Sequence, residues 1–219
     1  MEIKICGVTT PEALAACARL AVDFVGFVFF PPSPRALTPG TAAALSASCP
    51  GGPARIGLFV DADDATLAAT LAAVRLDMLQ LHGAETPARC AEIRARFGLP
   101  VMKALGVGVA ADLAAMADYA PVVDRFLLDA KPAPDATLPG GNAMPFEWSL
   151  LAGWPVPRPW LLAGGLTTGN VARAIAVSGA SGVDVSSGVE AGRGIKNLAM
   201  IEAFTSAARD NSRQSTIHD

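Results

Sequence analysis

Trp160-Leu161-Leu162-Ala163-Gly164-Gly165-Leu166, followed by Gly182-Val183-Asp184-Val185-Ser186-Ser187-Gly188, decides the fold. Each stretch is a short, continuous apolar run that breaks into glycine. Runs of this kind suit strands buried on both faces. Thr168–Val177, between them, has helical period. Two consecutive strand–turn–helix units therefore place two Gly-bearing turns late in the chain. A doubly wound sheet, the competing fold, usually offers one Gly-rich phosphate loop near its first strand. A parallel barrel holds phosphate at the loops after its last two strands. The late turns favour the barrel.

Six more apolar runs precede these two: Ile3–Cys6, Phe24–Phe29, Arg55–Val60, Met78–Leu81, Val101–Leu105 and Phe126–Leu128. Helical patterns separate them at Pro11–Leu20, Pro39–Ser48, Asp64–Val74, Pro87–Phe97 and Ala110–Ala117, and a last one spans Lys196–Ala208. Thr10-Pro11, Thr38-Pro39 and Thr86-Pro87 each pair an N-cap with a proline suited to the first helical position. Alternation of this kind means βαβ units, and eight of them with no linker predict a single α/β domain, a (β/α)8 barrel over residues 1–208. The sixth unit is the exception. Its Ala130–Pro145 segment is rich in Pro and Gly and reads as a functional loop over the barrel mouth, leaving only Phe146–Leu151 for a helix. Residues 209–219 are polar and are expected to form a frayed tail.

The chain has 219 residues, is 52% hydrophobic and carries a formal net charge of -3. That apolar fraction suffices for a core. The charge gives no broad basic surface, so nucleic acid is not an expected partner. The opening MEIKICGVTT lacks the apolar stretch of a signal peptide, and no run approaches the ~20 residues that span a bilayer. Cys6, Cys17, Cys49 and Cys90 fit no CxxC spacing. The expectation is a cytoplasmic protein with reduced thiols and no membrane partner. Only His82 and His218 are histidines, and one lies in the tail, so no His pair for zinc is expected.

In a barrel the C-terminal ends of strands face the site. Here those ends carry Cys6, the Pro-braced Arg35, Gln80 with His82, Asp129, Gly164-Gly165, and Asp184 with Ser186-Ser187-Gly188. The two late turns offer backbone N–H groups to a phosphate. Either one alone is as readily an ordinary tight turn. Cys6 is either packing or a thiol that electropositive surroundings make a base. Asp129 either caps a turn or serves as a proton donor, and Arg35 is either a solvated charge or a fork for a carboxylate.

Taken together, Lys4-Ile5-Cys6-Gly7, Ser33-Pro34-Arg35, Gln80-Leu81-His82-Gly83, Leu127-Leu128-Asp129, Leu162-Ala163-Gly164-Gly165-Leu166 and Gly182–Glu190 resemble, in order, the phosphoribosylanthranilate isomerase family. The resemblance implies a cofactor-free Amadori rearrangement of N-(5′-phosphoribosyl)anthranilate, with Cys6 as general base and Asp129 as general acid. It implies that Arg35 meets the anthranilate end and that Gln80, His82 and Asp184 support the pocket. Gly164, Gly165, Ser186, Ser187 and Gly188 would hold the phosphate, with no metal. The chain is expected to work on a small phosphorylated substrate as a monomer or homodimer. It departs from the family pattern at Ala143 and Glu147, where Gly and Asp are usual, and at Asn197, where Asp is usual. Other phosphosugar barrels, such as ribulose-phosphate epimerase or indole-glycerol-phosphate synthase, are runners-up: the first would want metal-binding histidines, the second Lys/Glu pairs at strand ends. A non-catalytic phosphate-binding barrel is the alternative outside enzymes.

Overall fold

The computed structural model describes residues 1–131 and 146–215. Among them, eight parallel strands close into a barrel in sequence order: β1 (Glu2–Cys6), β2 (Phe24–Val28), β3 (Ala54–Phe59), β4 (Met78–Leu81), β5 (Val101–Val107), β6 (Arg125–Ala130), β7 (Trp160–Leu162) and β8 (Gly182–Val185). The barrel closes through β1 and β8, in a register that sets Lys4 beside Asp184. Helices α1 (Pro11–Arg19), α2 (Pro39–Ala47), α3 (Asp64–Ala73) and α4 (Pro87–Phe97) start as the sequence predicts. The Thr10, Thr38 and Thr86 hydroxyls accept from the N–H groups of Ala13, Thr41 and Arg89, each ahead of a proline. Such a cap contributes about 1 kcal/mol.

Alternating strand residues divide the core in two. Ile3, Ile5, Leu79, Leu81, Phe126 and Leu128 face outward and pack with the helices. Ile56, Met102, Ala104, Leu127, Leu161 and Ala163 fill the interior. Below them, Arg125 forks onto the Glu2 carboxylate at 2.6 and 2.7 Å, with its guanidinium over the Phe24 ring.

Later elements depart from expectation. The predicted helix Ala110–Ala117 is a 3-10 turn, Ala110–Ala115, followed by a short α5 (Met116–Tyr119). Asp112 turns back to accept from the N–H groups of Gly108 and Val109, which tightens the entry. In the sixth unit Trp148–Leu151 is 3-10, and the anticipated mouth loop lies outside the described residues apart from its first two positions. Helix α6 spans Val171–Ser178, starting later than predicted because Asn170 holds Thr167 N–H and the Gly165 carbonyl in a turn. Lys196 is not the start of a helix: a small hairpin, β9 (Glu190–Gly192) and β10 (Ile195–Lys196), precedes α7 (Leu198–Ser215). That helix also runs past Ala208, where the sequence reading ended it and expected fraying. Ile201, Phe204 and Ala208 bury its inner face, and Arg209 donates to the carbonyls of Leu20 and Ala21. Asn197 accepts from Met200 N–H as the N-cap of α7, a role in which Asn and Asp are equivalent. Among the described residues no helix is long and apolar enough to cross a membrane.

Candidate active site

On β1, Lys4 and Cys6 share the inner face. The Lys4 ammonium is fully buried and lies 2.9 Å from Asp184 Oδ1. Gly26 faces them from β2. A Cβ there would stand 2.8 Å from Cys6 Sγ and 3.2 Å from Lys4 Nζ, so both side chains need a residue without one. Burial pushes the Cys6 thiol above its ordinary value. Lys4 pulls it down, Asp184 pushes it up and Lys196 pulls it down, and the net direction is up. For Lys4, burial disfavours the charge, but Asp184 and Cys6 outweigh it and the ammonium holds its proton more tightly than usual.

The inner face of β6 carries the buried Asp129. One of its oxygens accepts from Ala130 N–H at 2.8 Å, and the other lies 3.4 Å from His82 Nε2. His82 Nδ1 is 2.9 Å from Gln80 Nε2. Both residues come from the end of β4, and Gln80 Oε1 is buried with no hydrogen-bond partner among the described residues. Cys6 and Asp129 thus stand on separate walls of one mouth.

Arg35 is also buried at the mouth, but it is already paired. Its Nε and Nη2 donate to Glu190 at 2.7 and 2.9 Å. Glu190 further accepts from Lys196 at 2.7 Å and from Gly194 N–H at 2.9 Å. Burial works against its charge, yet the bonds from Arg35 and Lys196 prevail and bring its carboxyl down to about 2. Among the described residues Arg35 Nη1 makes no hydrogen bond. Burial lowers Lys196, which also donates to the Ser186 carbonyl at 2.9 Å.

The glycine turn after β7 and the serine–glycine turn after β8 lie in contact. A Cβ on Gly188 would meet the Leu166 carbonyl oxygen at 1.9 Å, so only glycine allows this approach. A cavity of about 340 Å³ opens beside them, lined by Gly165, Thr167, Gly169, Ser187, Gly188 and Met200. Ser186 Oγ donates to the Cys6 carbonyl at 3.1 Å, tying this turn to β1.

All the sequence-predicted site residues gather at the C-terminal mouth. The reading gave no role to Glu190, which pairs with both Arg35 and Lys196, or to Lys4 as the ion-pair partner of Asp184. Lys4 had a legible signal, since it shares the period-2 face of Cys6. Glu190 closes the Gly182–Glu190 motif but was given no role, and Lys196 was read as the start of a helix rather than part of the hairpin that brings the two together.

A family model described as N-(5'phosphoribosyl)anthranilate (PRA) isomerase matches residues 3–207. The chain belongs to this family. N-(5'-phosphoribosyl)anthranilate isomerase of Paracoccus denitrificans (strain Pd 1222) is 57% identical over 208 residues, covering 95% of this chain and 97% of the relative. The same enzyme of Rhodospirillum rubrum is 57% identical over 212 residues, at 95% and 97%. The solved phosphoribosyl anthranilate isomerase of Thermotoga maritima is similar at TM-score 0.86 and 34% identity, over 96% of this chain and 99% of that one. Another solved member, in complex with reduced 1-(o-carboxyphenylamino)-1-deoxyribulose 5-phosphate, is similar at TM-score 0.83 and 34% identity, with the same coverage. As a phosphoribosylanthranilate isomerase, the chain catalyses the aldose–ketose (Amadori) rearrangement of N-(5′-phosphoribosyl)anthranilate in tryptophan biosynthesis.

Proposed function

We propose a division of labour for this isomerase in which Asp129 is the general acid and Cys6 the general base. The observation that supports it is placement: a buried carboxyl and a buried thiol on separate inner walls of one mouth, beside the two contacting turns. Asp129 protonates the furanose ring oxygen, and the C1′–O bond breaks to give an open-chain iminium. The Cys6 thiolate then removes the C2′ proton, and the electron pair moves onto the iminium nitrogen to form an enolamine. Tautomerisation to the ketone completes the rearrangement, and the proton taken by Cys6 balances the one given by Asp129. The substrate nitrogen is the electron sink, so the chemistry calls for neither metal nor organic cofactor.

Intrinsic values oppose these roles, since a free thiol titrates at about 8.5 and a free carboxyl at about 3.9. Burial of Cys6 widens the difficulty, while Lys4 and Lys196 reduce it. The positive iminium formed on ring opening adds to their pull. In this reading Gly164, Gly165, Ser186, Ser187 and Gly188 hold the phosphate. Asp184, fixed by Lys4, faces the ribose hydroxyls, and Gln80 Oε1 accepts from a substrate N–H or O–H. Arg35 meets the anthranilate carboxylate through the donor that Glu190 leaves unused. Residues 1–208 act as one catalytic domain in the cytoplasm, as a monomer or homodimer, with neither nucleic acid nor membrane as partner.

The test is turnover of freshly prepared N-(5′-phosphoribosyl)anthranilate, followed by anthranilate fluorescence, together with a liganded crystal structure. An anion bound at the amides of Gly165 and Ser186–Gly188 is expected. An anion elsewhere on the barrel, with this notch empty, refutes the assignment.

A further inference from the structure

Lys103 has no part in the mechanism above, yet it is among the most buried charges in the molecule. Its neighbours Met102 and Ala104 point into the barrel, so Lys103 points outward, behind the wall, at 2% exposure. All three ammonium hydrogens have acceptors: the Leu81 carbonyl at 3.3 Å, the Gly83 carbonyl at 2.6 Å and Glu85 Oε2 at 2.7 Å. Those carbonyls belong to the residues immediately before and after His82. Glu85 in turn accepts from Gly83 N–H at 2.9 Å and from Asp61 N–H at 2.9 Å. His82 N–H donates to the Phe59 carbonyl at 2.8 Å. The His82 backbone is thus held on both sides by one buried ion pair.

Stability alone is a weak reason for such a pair. Desolvating two charges costs about as much as their attraction returns, and apolar residues of similar volume often do as well. Position is the better reason. His82 Nε2 stands 3.4 Å from Asp129 Oδ2, at the long edge of hydrogen bonding. A drift of a few tenths of an ångström at the end of β4 makes or breaks that contact.

We propose that Lys103 is a positioning residue, which fixes the strand end bearing His82 and through it the carboxyl of Asp129. This rests on the reading of Asp129 as the acid. Lys103 touches no substrate; it acts through the two carbonyls.

The chain has two histidines, His82 and His218, so the imidazole nitrogen NMR spectrum is simple, and H82N assigns it. The informative variant is K103M/E85Q. Methionine keeps the length, and glutamine keeps an acceptor for the Gly83 and Asp61 amides without leaving a lone buried charge. The His82 ring signals should shift or average between tautomers, while those of His218 stay fixed. The kcat should fall about tenfold with KM within about twofold, as expected when alignment rather than binding is lost. A cooperatively folded double variant with unmoved His82 signals overturns the proposal. Moved signals with unchanged kcat also overturn it, because the held geometry then has no catalytic consequence. Should the double variant not fold, K103Q replaces it: neutral, able to donate to Glu85, too short to span both carbonyls, and judged by the same readings. Failure of the acid assignment itself shows separately, as a D129N enzyme that keeps its kcat.

Discussion

Replacing Glu190 with glutamine should weaken the fold in a way that fades as the solution is acidified. The carboxylate accepts from Arg35 twice, from Lys196 and from Gly194 N–H, while its side chain is only 4% exposed. Those donors hold the carboxyl at about 2 in the folded chain, against an ordinary 4.5. The folded value is depressed, so the stabilisation is complete above the unfolded value and is lost as pH falls through the folded one. Linkage gives about 3.4 kcal/mol at pH 7 and about 2 kcal/mol at pH 3.5. Glutamine keeps the shape but turns an amide N–H toward donors, and it cannot titrate. Urea unfolding of both proteins at pH 7 and pH 3.5 measures the gap directly. It should be about 3 kcal/mol at neutrality and narrow by about 1.4 kcal/mol at the lower pH. A gap of equal size at both pH values would show that the clamp contributes nothing electrostatic.

Cys6→Ser and Asp129→Asn should each lower kcat by roughly two orders of magnitude or more with substrate binding nearly unchanged, since both act in the transition state; steady-state kinetics with circular dichroism as the folding check decides this. Because the mechanism needs a protonated carboxyl together with a thiolate, the two titrations offset each other between the carboxyl and thiol ranges, so kcat/KM should stay level through neutral pH and fall only above the thiol value that burial raises; a fall setting in below the ordinary thiol range contradicts the assignment. Gly188→Ala would set a Cβ 1.9 Å from the Leu166 carbonyl oxygen and so forces the two turns apart, and isothermal titration should find inorganic phosphate bound about tenfold more weakly, the equivalent of a packing cost of about 1.4 kcal/mol. Exhaustive chelation should leave turnover unchanged, and a loss restored by one particular divalent ion would defeat the metal-free chemistry.

The frame was legible wherever a local rule decides local structure. Thr10, Thr38 and Thr86 announce three helices because cap and proline lie within a few residues of each other. The strand ends were legible for the same reason, and with them Cys6, Gln80, His82, Asp129 and Asp184. What stayed hidden depends on pairings distant in sequence. Nothing near Arg35 foretells that its fork closes on Glu190, 155 positions away. Lys103 reads as an awkward charge in an apolar run until Glu85 and the bracketed carbonyls are brought to it. The hairpin at 190–196 was masked by a good helical pattern beginning beside it. Polar composition also hid the contacts by which Arg209, just past Ala208, ties α7 to the Leu20 and Ala21 carbonyls.

The packed interior layer, with the Arg125–Glu2 fork under it and the guanidinium over Phe24, makes the barrel a blind alley. With the far end stoppered by an ion pair and a ring, whatever enters between Cys6 and Asp129 must leave by the way it came. Arrival and departure share one doorway, so the ketose product and the next aldose cannot be aboard together. The two must exclude each other completely, and traffic through that doorway, rather than proton transfer, can set the pace when product accumulates.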